Sequence, residues 1–134
     1  MSASPQRFRL RRLAICRRLL QVHRLQAAIF GTRLSEEACK ALSPSAYQEI
    51  LFELYLAGLE GRQVYQSCLA PTQPQATVHR QAARLEALGA VTRSVDGRDQ
   101  RRLNLTLTPL MRSMLDLFMD AADLEFHLGP GLCD

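Results

Sequence analysis

Apolar residues recur at helical spacing in four stretches of the chain, and in two short runs they alternate with polar ones. In the first stretch, 7–33, Leu10, Leu13, Cys16 and Leu20, with Leu19, Val22 and Ile29, form a broad apolar face with arginines between them. A helix of that length in a small domain draws its stability from packing rather than propensity, so it needs a partner, and another subunit is one candidate. The second stretch starts at Ser43-Pro44, a cap followed by a proline in the first helical position. It carries Tyr47, Ile50, Leu51, Leu54 and Tyr55 as a stripe running to Leu59, and Gly61 ends it. The third opens near Pro74, turns Val78, Ala82, Leu85 and Leu88 inward and stops at Gly89. The fourth repeats the cap-plus-proline start at Thr108-Pro109. Its stripe is Leu110, Met111, Met114, Leu115, Phe118, Ala121 and Ala122, and it reaches Leu128 before Gly129-Pro130-Gly131 breaks it.

The alternating runs are strands. Val91, Arg93 and Val95 alternate with Thr92 and Ser94, while Leu103, Leu105 and Leu107 alternate with Asn104, Thr106 and Thr108. Strands over 91–95 and 102–107 meet around the tip D-G-R-D-Q, where Asp96-Gly97 is a hairpin signal. Residues 1–6 read as a disordered start. Thr32 or Ser35 caps a short helix to Leu42, and a short helical turn covers Gln63 to Ala70.

A helical turn, a second helix and a basic hairpin in succession make a winged helix-turn-helix, which sets one helix in the DNA major groove with a hairpin beside it. The expected fold is mainly α with a two-stranded β-wing. It divides into a dimerisation helix region at 1–42, a DNA-binding core at 43–108 and a dimerisation helix with its tail at 109–134.

The core also carries a family's motifs. Cys68-Leu69-Ala70, then P-x-A-T-V-H-R-x-x-x-R-L-E-x-L-G-A-V-x-R from Pro74 to Arg93, then D-x-R-D-x-R-R-x-x-L-x-L-T from Asp96 to Thr108, resemble the winged-helix core of MarR-type transcription regulators. The resemblance covers about a third of the chain. The L-E-x-x-G-x-x-x-R step and the wing are its most specific parts. It implies a homodimer on pseudo-palindromic DNA, often responsive to a small ligand or an oxidant. Two positions depart from the family pattern: T-Q-P-Q replaces the usual small-residue turn, and Ala83 stands where many members carry an acid that braces a wing arginine.

Charge refines the picture. The net charge of +4 permits a nucleic-acid partner without requiring one. Its distribution says more: residues 1–35 sum to +8, 36–61 to −4, 62–102 to +4 and 103–134 to −4. Sixteen of the seventeen basic residues are Arg, which suits phosphate and base-edge contacts, though genome composition alone gives the same bias. With 134 residues the chain suits one domain with a modest core. No apolar run is long enough for a membrane span. Cys16, Cys39, Cys68 and Cys133 form no C-x-x-C pair and sit near no histidine at ligand spacing, so no metal or other cofactor is expected. The thiols read as reduced and the location as cytoplasmic. The Arg-rich start also resembles a mitochondrial presequence, but its apolar positions continue into the fold, which favours a structural helix.

The DNA-contact candidates are Gln75, Thr77, His79, Arg80 and Arg84 on the third helix and Arg98, Arg101 and Arg102 on the wing. Gln pairs with adenine and Arg with guanine, and a wing arginine can enter a minor groove. The competing reading is a solvated face, with Arg101 pairing Asp99 to shape the tip. Arg11, Arg12, Arg17 and Arg18 meet either flanking phosphates or the acids Asp116, Asp120, Asp123 and Glu125, and pairing within a dimer is favoured. Met111, Met114, Phe118 and Met119 are either plain core or the wall of an effector pocket. Cys16 or Cys39 would act as a peroxide sensor only with a lowered pKa and solvent access. Without a nucleophile elbow or P-loop, and with His23, His79 and His127 far apart, the chain does not read as an enzyme. The expected function is a sequence-specific DNA-binding transcription regulator, favoured as a repressor. The alternative is a winged-helix protein–protein adaptor that never meets DNA.

Overall fold

Helix α1 spans Pro5–Arg33 in the structure, a computed structural model that describes residues 5–33, 46–71, 73–99 and 101–131. Pro5 suits the first helical turn, where its missing N–H has no partner, so the helix starts inside the stretch expected to be disordered. Cys16, Leu20 and His23, spaced four and three residues apart, turn to the interior and are buried. Helix α2, Ala46–Glu60, is the hub of the core. Ile50, Phe52, Leu54, Tyr55 and Ala57 are all buried, each apolar side chain of this kind contributing about 1.5–3 kcal/mol if fully removed from water. The expected Ser43-Pro44 start and the short helix before it lie outside the described residues.

Gly61 closes α2 as the sequence predicts. It sits at φ +71, and Arg62 N–H reaches back to the Ala57 carbonyl at 2.9 Å, the hydrogen bond of a glycine-terminated helix. Gly89 does the same for α3, Gln75–Ala87, at φ +80, with Gly89 N bonded to Glu86 O and Ala90 N to Leu85 O. Leu88 becomes the cap residue and is 71% exposed, so it does not join Val78, Ala82 and Leu85 on the buried face.

Between α2 and α3 the helical turn expected over Gln63 to Ala70 shrinks to a 3-10 turn, Gln66–Cys68. The cause lies in the wing. Val64 O accepts from Leu105 N at 3.0 Å and Tyr65 bridges Asn104, so this backbone is committed to the sheet edge and unavailable for a helix. The wing pairs β1, Val91–Val95, antiparallel with β2, Leu103–Leu107, from Val91↔Leu107 to Val95↔Leu103. Residues 96–102 link the strands. Asp96 accepts from Arg98 N at 3.2 Å and Arg102 N bonds to Asp99 O. The tip is thus the broad D-G-R-D-Q connection expected from the sequence, with β2 starting one residue later than expected, and Gly97 is not in the left-handed region.

Helix α4, Pro109–Gly131, starts with Thr108 as its cap: Met111 N donates to Thr108 Oγ1 at 3.3 Å. It continues past the expected break, because Pro130 removes only one N–H donor in the last turn. Leu115 and Met119 are buried against the core, while Met114, Phe118, Leu110, Leu117 and Leu124 are exposed. Among the described residues the fold is mostly helical with one two-stranded wing, the winged-helix fold expected from the sequence.

Candidate nucleic-acid interface

Helix α3 is oriented from below. Val78, Ala82 and Leu85 are buried on the core, so Gln75 and His79, one turn apart, share an outer face with Arg80 beside them. The turn leading in is set by Ala70, which holds φ 45, a conformation costing a residue with a Cβ about 1 kcal/mol or more. Ala70 N–H donates to Glu53 Oε2 of α2 at 3.0 Å, and Gln73 N–H donates to Ala70 O. Glu53 is in turn gripped by Arg24 of α1. Burial pushes the Glu53 carboxyl up, against the Ala70 N–H and Arg24, which hold it down. The turn leading into α3 thus rests, through Ala70, on the part-buried Glu53 carboxylate.

The wing supplies the facing wall. Arg102 lies 4.9 Å above the Tyr65 ring and 3.8 Å from Asp99, which holds it at the hairpin base. Arg101 Nε is 3.3 Å from Asp99 Oδ1, yet its side chain is 92% exposed. The tip pairing expected of Arg101 is present and leaves the guanidinium outward. Glu86 of α3 braces β1: Arg93 Nε and Nη2 donate to Glu86 Oε1 at 3.1 and 3.0 Å, and the Arg93 backbone N–H to Oε2 at 3.2 Å. The Arg93 guanidinium holds the Glu86 carboxyl below the usual range.

Helix and wing enclose a groove of about 540 Å³ lined by Gln66, Gln75, His79, Arg80, Arg101 and Arg102 among others. Five of the eight DNA-contact candidates therefore converge. Thr77, half-buried, and Arg84, exposed one turn beyond Arg80 on α3, do not line the groove, and Arg98 stands at the wing tip. Gln75 spends one amide hydrogen on Ser67 O at 3.2 Å, so it is anchored to the turn as well as exposed. Sequence reasoning missed Gln66, Tyr65 and the Glu86–Arg93 pair. The pair was visible as the acid and the arginine of L-E-x-x-G-x-x-x-R, which flank the Gly89 turn. Gln66 and Tyr65 carried no spacing signal.

No protein-family model matches the chain, and no curated protein matches it. Among solved structures, AF1382 from Archaeoglobus fulgidus aligns with a TM-score of 0.53 at 23% identity, over 63% of this chain and 92% of that one. Over that span the two share a fold. A probable transcriptional regulator from Pseudomonas aeruginosa aligns more loosely, with a TM-score of 0.48 at 28% identity over 84% of this chain and 80% of its own. The PcaV transcriptional regulator from Streptomyces coelicolor, solved with its natural ligand, gives 0.47 at 24% identity over 85% and 75%.

The other candidates lie at the helical end. Cys16 is fully buried, its thiol donates to Phe52 O at 3.2 Å, and burial pushes it up to about 12. That is the reverse of a reactive thiolate, and it overturns the sensor expectation for Cys16; Cys39 lies outside the described residues. Met111, Met114 and Phe118 are not plain core. With Tyr47, Leu51 and Phe52 they line an open apolar groove of about 430 Å³, where the Phe52 and Phe118 rings sit 5.9 Å apart. The α1 arginines pair within one chain. Arg12 makes a two-pronged contact with Asp120 at 2.9 Å and reaches Asp116 at 3.5 Å, while Arg11 meets Asp123 at 2.7 Å and Arg17 meets Glu60 at 2.6 Å. Of the four arginines expected to pair within a dimer, Arg11 and Arg12 thus meet their expected acids inside the protomer, Arg17 takes Glu60 instead, and Arg18 has no ion pair among the described residues. Among the described residues no cluster of His, Cys, Asp and Glu could hold a metal ion, and no helix is long and apolar enough to cross a membrane.

Proposed function

We propose that the chain is a sequence-specific DNA-binding transcription regulator of the MarR type, a homodimer on a pseudo-palindromic site with repression as its favoured sense. The observation that carries this reading is the groove between α3 and the wing, where Arg80, Arg101 and Arg102 meet His79 and Gln75. Side chains at the start of such a helix face base edges, and a wing arginine beside it suits phosphates or a narrow minor groove. Arg84 and Arg98 extend the contact to flanking phosphates. Selection of bound duplexes from a random pool tests the reading. It predicts a recovered motif with two related half-sites about one helical turn, or a multiple, apart. Recovery of no motif, together with capture of a protein partner only, would favour an adaptor.

Support for the dimer is the exposed apolar surface on the two terminal helices. Leu10, Val22, Leu25 and Ile29 of α1 and Leu110, Leu117 and Leu124 of α4 are each at least half exposed. Leu20, expected on that face, is buried within its own chain. Exposed apolar side chains concentrated on two helices suit an interaction site. Sedimentation at micromolar concentration should give a dimer, and Leu117→Glu with Leu124→Glu should give a monomer. A monomeric wild type would refute the dimer. The Met111–Met114–Phe118 groove falls within the roughly 300–1,000 Å³ typical of small-molecule sites and is the proposed effector site.

A further inference from the structure

Gln66 sits where wing, turn and recognition helix meet. Its Nε2 lies 2.7 Å from His79 Nδ1, and its Oε1 lies 3.3 Å from Arg93 Nη1. A guanidinium only donates hydrogen bonds, so the amide atom facing Arg93 must be the oxygen. The NH₂ end is thereby turned to His79. Two donors cannot meet, so His79 Nδ1 must accept, and the single proton of the neutral ring sits on Nε2. Arg93 cannot swing away to release Gln66, because Glu86 holds its Nε, its Nη2 and its backbone N–H. Glu86 lies seven residues beyond His79 on the same helix, two turns along one face. The four groups form a relay that leaves α3 at Glu86, crosses β1 and the 3-10 turn, and returns to α3 at His79.

We propose that this relay locks the ring and tautomer of His79, so that the groove presents one fixed Nε2–H donor, and that this donor makes His79 a specificity-determining residue. Nδ1 faces inward to Gln66 and His79 is exposed to the groove, which leaves the opposite ring nitrogen outward. A fixed donor is satisfied by guanine N7 or O6 and opposed by the cytosine amino group, itself a donor. Each half-site then contains one position where an acceptor-bearing base is favoured over cytosine. Gln66, Arg93 and Glu86 are positioning residues that act through His79. This inference rests on the DNA-binding reading above.

Two measurements on the intact chain separate the relay from that reading. Ring nitrogen NMR of the DNA-free protein, at a pH where the ring is neutral, should show His79 protonated at Nε2, with Nδ1 shifted by an accepted hydrogen bond. Gln66→Leu should remove that shift. Site selection should then show the acceptor-base preference lost in His79→Ala. In Gln66→Leu it should fall about fivefold, the worth of one net hydrogen bond, with other positions unchanged. Gln66→Glu should reverse the preference, because a carboxylate only accepts: it draws the single proton of the neutral ring to Nδ1 and turns the outward Nε2 into an acceptor, which favours the cytosine amino group. A neutral ring protonated at Nδ1, or a Gln66→Leu profile equal to wild type, overturns the relay and leaves DNA binding standing. A wild-type protein that selects no duplex overturns the specificity role, whatever the NMR shows.

Discussion

The chain has two arginine-rich ends that the structure treats in opposite ways. At the helical end, Arg11, Arg12, Arg17 and Arg24 are each met by an acid of α2 or α4, and Arg9 donates to the Leu59 carbonyl. At the reading end, Arg80, Arg84 and Arg98 have no ion pair among the described residues, and Arg101 stays outward despite its contact with Asp99. The +8 of the first 35 residues therefore overstates the cationic surface there, while within residues 62–102 Arg62 and Arg93 are paired and Arg80, Arg84, Arg98 and Arg101 present their charge to solvent. Pairing rather than local net charge decides which arginines remain available to a polyanion. Each end also sets one guanidinium over a ring, Arg12 at 6.0 Å from Phe8 and Arg102 at 4.9 Å from Tyr65, so ring contacts do not distinguish the two ends.

The largest test of this contrast uses salt. Four arginines on phosphates would release enough counterions to weaken binding about a hundredfold between roughly 50 and 200 mM salt. Fluorescence anisotropy on a selected duplex measures it. Affinity indifferent to salt would mean that the reading-end arginines do not meet DNA.

A pair of substitutions sharpens the contrast. Arg80→Ala should leave stability within about 0.5 kcal/mol, as for an exposed residue. It should relax preference at one base pair in each half-site by about 1–3 kcal/mol, the worth of a bidentate contact. Arg12→Ala should do the reverse. It should cost about 1 kcal/mol of stability, because Asp120 and Asp116 lose a part-buried partner while water still screens the pair. Base preference should stay intact. Urea unfolding and site selection on both variants decide the matter, and an even loss of affinity at every position would make Arg80 a phosphate contact.

The fold was largely legible because its punctuation is local. Gly61, Gly89 and Thr108-Pro109 stop and start helices for reasons confined to a few residues. What was illegible depends on contacts distant in sequence. The helical turn before Ala70 failed because Val64 and Tyr65 join the wing some forty residues later. Leu88 left the inward stripe that periodicity suggested, since it caps the helix end, while Leu20 kept its place on an apolar face but is covered by its own chain. At the site, the arginines and His79 were legible from composition and motif. Gln66 was not, because a half-buried glutamine on a turn acquires meaning only from the two groups it separates.

A smaller effect belongs to the helical end. His23 is buried with its Nε2 3.4 Å from Glu49, and burial lowers its pKa, with Arg24 adding to that and Glu49 opposing it. The unfolded chain then binds this proton more readily than the folded one, so stability falls as pH drops below the ordinary histidine value of 6.5. The ceiling for one proton is about 1.4 kcal/mol per pH unit. Denaturant midpoints at pH 7.5 and 5.5 should separate for the wild type and converge for His23→Leu. Equal separation in both proteins would place the pH dependence elsewhere.

The smallest effect tests the edge of the reading end. Arg98 is exposed at the wing tip, and its backbone N–H is fixed by Asp96 while its side chain has no ion pair among the described residues. It does not line the groove, so it cannot share in base reading with Arg80 and His79. If the wing lies on the backbone or in a minor groove, Arg98 neutralises about one phosphate. Its removal should then reduce the salt slope by about 0.9, equivalent to a three- to fourfold change over a fourfold range of salt. The loss should be the same on every duplex, in contrast to the position-specific loss from Arg80→Ala. Anisotropy titrations of Arg98→Ala at several salt concentrations measure the slope directly. An unchanged slope with unchanged affinity would confine the interface to the groove and remove the wing tip from it.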